Sequence, residues 1–215
     1  EERYQTTFAR KKGSVAAPTA GLHFTPELID DLQAEILELT LHVGAGTFKP
    51  VSEDSIQQHI MHEEECLVSL ETINALMSHK PRFAVGTTSL RTLESLFWMA
   101  VKWHNSQQLP HAINQFDPYQ ERNPFASYAA AMEFLGNKMK SDGLSQLRFQ
   151  TSIMISPGYE IRSIDGLFTN FHMPKSTLLF LVAAWVGNDW KNIYNHALQN
   201  DYRFLSYGDS SLLMR

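Results

Sequence analysis

The chain has 215 residues, 43% of them hydrophobic, enough for one large domain or one and a half around a full core. Its formal net charge of -5 argues against a surface that grips nucleic acid throughout. The longest apolar run, Leu178 to Val186, is too short to span a bilayer, so membrane functions drop out. The single cysteine, Cys66, excludes an internal disulfide framework, and with nothing resembling a signal peptide a reducing, cytoplasmic setting is expected.

In chain order, Arg3, Arg10, Lys11 and Lys12 first flank Tyr4 and Phe8, a pattern open both to a solvated end and to a local nucleic-acid patch. Thr25, Pro26 and the acidic first turn of TPELIDDLQAEILE predict a helix with Leu28, Ile29, Leu32, Ile36 and Leu37 as its apolar stripe. LTLHV follows as a short strand running into Gly44-Ala45-Gly46, and a second strand is expected over Glu65 to Ser69. SLETINALMSHK reads as an amphipathic helix capped by Ser69, Arg82 to Val85 as a buried strand, and Ser89 to about Trp103 as a long helix. His104 to Arg148 differs in character, with NSQQLP and FDPYQERNP around a helix at FASYAAAMEFLGNKMK, and is expected to be a surface insertion.

After it come a strand at FQTSIMIS, a turn at PGYE and a strand at GLFTNF. In NFHMPKSTLLFLVAAW, polar residues guard the mouth of an apolar helix, with Pro174 at the first helical position and Lys175, Ser176 and Thr177 in its first turn. DWKNIYNHALQNDY predicts a helix and SLLM a last strand. Strands alternating with helices imply an α/β layered domain, a parallel or mixed sheet flanked by helices, spanning residues 1–215.

Such folds collect ligands at the carboxyl ends of strands, and APTAGLHFT, LHVGAGTF, AVGTTSLRT and TNFHMPKST fit that position. In AVGTTSLRTLES, Gly86 permits close approach, Thr87, Thr88 and Ser89 offer hydroxyls beside free N–H groups, and Arg91 stands near the first turn. That suits a carboxylate or phosphate, and equally a capped helix with a solvated Arg; the Lys and spacing of a P-loop are missing. LHVGAGTF has no third Gly at dinucleotide spacing, and Pro50 interrupts where a helix should run. His59, His62, Glu63, Glu64 and Cys66 do not form HExxH and read as polar residues at a strand entrance rather than a metal site. His23 and His172, each in a loop before a predicted helix, are candidates for proton transfer.

Six segments occur together: GSVAAPTAGLHFT, LTLHVGAGTFKPV, MHEE, AVGTTSLRTLES, PGYEIRSIDGLFTNFHMPKSTLL and YRFLSYGDSSLL. In this order they resemble the S-adenosylmethionine:tRNA ribosyltransferase-isomerase family of queuosine biosynthesis. The resemblance implies an enzyme that uses S-adenosylmethionine as a ribosyl donor. The ribose-derived unit passes to 7-aminomethyl-7-deazaguanine at the tRNA wobble position, giving epoxyqueuosine and releasing adenine and methionine. No metal or bound cofactor is implied, and the partners are the tRNA and S-adenosylmethionine, with the protein acting as a cytoplasmic monomer away from membranes.

On that resemblance, His23 and His172, then His42, are the expected acid/base groups, and Asp209 in SYGD steers the substrate amine or stabilises the sulfonium. Expected binding residues are Thr19 and Gly21, Gly44, Gly46 and Thr47, Thr87, Thr88, Ser89 and Arg91, and Asn170, Lys175, Ser176 and Thr177. The methionine carboxylate is expected at the turn with Arg91 or at the Lys175 to Thr177 turn. Family members usually carry an N-terminal part of the α/β domain with an inserted β-barrel ahead of ERYQT, so the chain is expected to hold a partial catalytic domain that could be inactive alone. A non-catalytic tRNA-binding fragment would bind with steep salt dependence and release no adenine. A conventional methyltransferase would release S-adenosylhomocysteine instead.

Overall fold

The structure, a computed structural model, describes residues 18–42, 59–78 and 80–215. The predicted ligand residues Gly44, Gly46 and Thr47, and the basic residues Arg3, Arg10, Lys11 and Lys12, lie outside the described residues.

A 3-10 turn, Thr19–His23, precedes α1 (Pro26–Asp31), where Thr25 accepts from the Leu28 N–H and Pro26 fills the first helical position. The helix was predicted to reach Glu38. It stops because Leu32 turns extended, and Leu28, Leu32, Ile36 and Leu37 remain exposed. An apolar stripe with no packed face among the described residues does not sustain a helix.

The described strands form two mixed sheets. In one, β1 (Thr40–His42), β2 (Glu64–Ser69), β4 (Ala112–Ile113) and β5 (Gln146–Thr151) lie in the order β1-β2-β5-β4, with only the β4–β5 pair parallel. In the other, β3 (Phe83–Val85), β6 (Gly166–Asn170) and β7 (Ser210–Met214) lie in the order β3-β6-β7, parallel then antiparallel. This is the expected α/β layering with mixed sheets. β5 ends at Thr151, earlier than the predicted strand, although Ile153, Met154 and Ile155 stay buried. β3 is only half buried, with Phe83 exposed.

The helix α3 (Thr87–Ser106) packs against strands of both sheets, and that position explains its composition. Leu90, Leu96, Phe97, Met99 and Val101 are fully buried, and the buried Thr92, Glu94 and Ser95 side chains have internal partners. Thr92 Oγ1 donates to Thr88 O, and Ser95 Oγ bonds both Arg91 O and Thr151 Oγ1. Glu94 accepts from Tyr159, Ser163 and the Arg162 N–H, pinning the turn ahead of β6 to the helix. Gly86 starts α3 at φ 91°, a left-handed conformation that favours glycine, and its N–H donates to Phe168 O.

α2 (Leu70–Ala75) has the predicted Ser69 cap, the hydroxyl accepting from the Thr72 N–H, but is shorter than predicted. Residues 104–148 are not a surface insertion. Beyond the end of α3 they supply β4, the short α4 (Asp117–Gln120) and α5 (Tyr128–Ser141), which packs on α2 and α3 with Ala131, Met132, Leu135 and Met139 fully buried. Polar loops at its ends masked an amphipathic helix whose inner face completes the core. Leu135→Ala should therefore cost about 2–5 kcal/mol in urea denaturation. A loss below about 0.5 kcal/mol, the range of surface substitutions, would return the segment to the surface.

α6 (Thr177–Val186) and α7 (Trp190–Gln199) complete the helices, with Trp185 Nε1 donating to Leu213 O of β7. α6 begins later than predicted: Pro174 is not in the helix, Lys175 takes a left-handed φ of 57°, and Ser176 is the cap. No helix among the described residues is long and apolar enough to cross a membrane.

Candidate active site at the end of strand β6

Parallel pairing of β3 with β6 sets Val85 opposite Phe168, so the chain leaves β3 into α3 beside the last residues of β6. The 3-10 turn Thr19–His23 packs on β6, with Phe24 edge-on to the Phe168 ring at 5.2 Å. Side chains alternate along a strand, so Phe168 and Asn170 share this face and Thr169 points the other way.

Asn170 is 2% exposed and organises the junction. Its Nδ2 lies 3.1 Å from Leu205 O and 3.5 Å from Gly208 O, two acceptors that assign it as the donor. The same nitrogen lies 3.3 Å from His23 Nε2, which therefore accepts, leaving the ring proton on Nδ1. The Asn170 Oδ1 is buried without a partner.

The loop before β7 closes the other side. Asp209 accepts from the Arg203 N–H at 2.7 Å and from Arg203 Nη2 at 3.1 Å. The backbone bond first, then the guanidinium, hold its carboxyl below the usual range, and His23 adds to the effect. A Cβ on Gly208 would overlap the Arg203 carbonyl, so the loop needs glycine there. Asn170 thus joins a partly buried imidazole to the loop of Leu205 and Gly208, where the next residue, Asp209, is an ionised carboxylate with His23 in its field. That arrangement suits proton transfer.

His172 is not part of this cluster. Its Nε2 bonds Thr169 Oγ1 at 2.8 Å, on the opposite side of β6 from Asn170, and its backbone N–H donates to the Tyr194 hydroxyl. Burial pushes its pKa down to about 4. A folded-state value below the unfolded one means the unfolded chain binds the extra proton first. This stabilising contribution is therefore complete above about pH 6.5, the ordinary His value, and is lost as pH falls toward 4. In an NMR titration the His172 ring should remain neutral through pH 6; titration near 6.5 would show the ring to be solvated.

The other expected residues divide. Thr19 and Gly21 are in the 3-10 turn against β6, and Thr87 and Thr88 are buried in the first turn of α3. Ser89 Oγ donates back to Val85 O, and Ser176 Oγ both receives the Leu179 N–H and donates to Met173 O, so both hydroxyls serve the backbone. Lys175 is exposed, and Thr177 is buried at the start of α6. His42 is in the other sheet, on β1 opposite Glu65. Arg91 is buried rather than open to solvent: it is 3% exposed, and Nη1 donates to Glu64 Oε2 at 2.6 Å.

In the sequence Glu64 reads only as a polar residue at a strand entrance. The alternation of β2 could have found it, because Glu64, Cys66 and Val68 share the inward face, where an acid needs a partner. Glu65 faces the other way and pairs with Arg148, while the Cys66 thiol lies against Thr92 and burial pushes it up to about 11. Neighbours in sequence, these three side chains are directed to separate partners.

The family described as queuosine biosynthesis protein matches residues 1–213. The chain is 40% identical to an S-adenosylmethionine:tRNA ribosyltransferase-isomerase of Thermotoga petrophila, over 99% of this chain and 53% of that protein. It is 42% identical to the protein of that name from Rickettsia bellii, over 100% of this chain and 51% of the relative. Among solved structures, the S-adenosylmethionine tRNA ribosyltransferase of Thermotoga maritima is similar at 31% identity and a TM-score of 0.57, covering 91% of this chain and 51% of that one. The chain therefore spans about half the length of the relatives it matches.

Proposed function

The chain belongs to the family of queuosine biosynthesis proteins, and from that premise we propose that it carries catalytic residues of an S-adenosylmethionine:tRNA ribosyltransferase-isomerase. The substrate is S-adenosylmethionine as ribosyl donor, and the acceptor is 7-aminomethyl-7-deazaguanine at the wobble position of a tRNA. The products are epoxyqueuosine in the tRNA, adenine and methionine. The reaction requires removal of a proton beside the sulfonium, departure of adenine and a neutral amine nucleophile. It uses S-adenosylmethionine as substrate rather than cofactor and takes place in the cytoplasm, with the protein acting as a monomer.

The observation that supports this reading best is the bond between His23 and Asn170 at the end of β6, where Asn170 also reaches the loop that carries Asp209. His23 moves protons, held by Asn170 in one tautomer. Asp209, ionised by Arg203, places negative charge where a sulfonium or substrate ammonium is stabilised. His172 serves as a neutral imidazole that fixes the turn between β6 and α6.

The test is an adenine-release assay with precursor tRNA and S-adenosylmethionine, with separate detection of S-adenosylhomocysteine. Adenine together with methionine supports the reading. S-adenosylhomocysteine would make the protein a methyltransferase, and tRNA binding with no product from either route would leave an RNA-binding role.

A further inference from the structure

Arg91 leaves α3 one turn beyond its start, on the same face as Thr87 and Thr88. Helical side chains lean toward the N-terminal end, so the guanidinium lies back over that first turn, where Gly86 provides no side-chain cap for the free N–H groups. Only Nη1 is used by Glu64; Nε and Nη2 are buried and have no hydrogen-bond partner.

Those two nitrogens lie side by side on one edge of the planar guanidinium. That edge matches two oxygens of a carboxylate or phosphate in a bidentate pair, and leaving both charged donors buried and unpaired is costly. The local charge decides between the two anions. Arg91 is already balanced by Glu64, and the helix start adds only about half a positive charge, which suits a monoanion and opposes a dianionic phosphate.

We propose that the Nε–Nη2 edge of Arg91 receives an amino-acid carboxylate of the bound substrate, and that Glu64 is the positioning residue that turns this edge toward it. The inference rests on the S-adenosylmethionine reading above, which makes the methionine carboxylate the occupant. Glu64, 2% exposed, fixes the guanidinium plane by holding Nη1 and is not itself in contact with the ligand.

The test follows the Arg91 Nε–H signal by NMR in the full 215-residue chain, assigned by its loss in Arg91→Lys, while ligand affinities are measured by calorimetry. S-adenosylmethionine and plain acetate should both move the signal. Decarboxylated S-adenosylmethionine should not, and should bind about 10- to 100-fold more weakly. Arg91→Lys keeps a cation for Glu64 but loses the fork, so both nucleoside ligands should bind alike, within about twofold. Glu64→Gln, which retains an oxygen for Nη1, should preserve more of the carboxylate preference than Glu64→Leu.

Binding of S-adenosylmethionine with no movement of the signal and no carboxylate preference would overturn the proposal and leave the S-adenosylmethionine reading intact. Movement with acetate but no S-adenosylmethionine binding would sink that reading and keep the carboxylate edge. If neither ligand moves the signal, the edge is filled from within the protein and the proposal fails. An equal loss for both nucleoside ligands in Glu64→Leu would reduce Glu64 to a folding role.

Discussion

Replacing His23 by Ala lowers the rate of adenine release by about 100-fold or more, with little change in thermal unfolding. The ring is only partly buried, and its hydrogen bond to Asn170 links a short 3-10 turn to β6 without supporting the core. His172→Ala should give the opposite pattern. It removes the part-buried Thr169 contact beneath the turn, so stability falls while the chemistry at His23 continues. Turnover close to wild type in His23→Ala would remove this imidazole from the mechanism. Equal losses of turnover in both variants at unchanged stability would show that the two rings act together despite lying on opposite sides of β6.

Arg91→Ala is the most destabilising single change expected, at about 3–5 kcal/mol in urea denaturation of the ligand-free chain. The penalty lies in the broken ion pair: Glu64, 2% exposed, would lose the guanidinium that holds it at 2.6 Å. Arg91→Met combined with Glu64→Leu should therefore cost far less than Arg91→Ala alone, because both charges of the pair leave together. Destabilisation that simply adds across the two sites would show the pair to be solvated and weakly coupled.

Most elements can be read from local pattern. Ser69 before LETINA and Thr25-Pro26 before ELIDD are helix starts whose cap bonds form as expected. The short run GLFTNF and the apolar run of α6 likewise read as a strand and a buried helix. Local pattern fails where burial decides the outcome. The apolar stripe of TPELIDDLQAEILE is as good as that of α5, yet one stays exposed in a helix cut short while the other is fully packed. Pro174 is a good first helical residue in isolation, but the turn from β6 sends Lys175 left-handed and leaves the capping to Ser176.

The candidate site shows the same division. Histidine, asparagine, acid and glycine near strand ends are legible as candidates for chemistry, because such folds collect ligands there. Which of them meet is not. His23 and Asn170 are 147 residues apart and join only because β3 and β6 pair in parallel and the 3-10 turn packs on their shared face.

The sequence by itself determined the α/β class, the caps, the family and a pool of residues able to move protons or bind anions. These depend on side-chain chemistry and on periods of two or 3.6 residues, which are properties of short segments. Only the tertiary structure decided that His23 stands with Asn170, that His172 is part-buried on the far side of β6, and that Arg91 keeps one free edge while Glu64 holds the other. Burial and strand sidedness set those roles, and both arise from contacts between segments far apart in the chain.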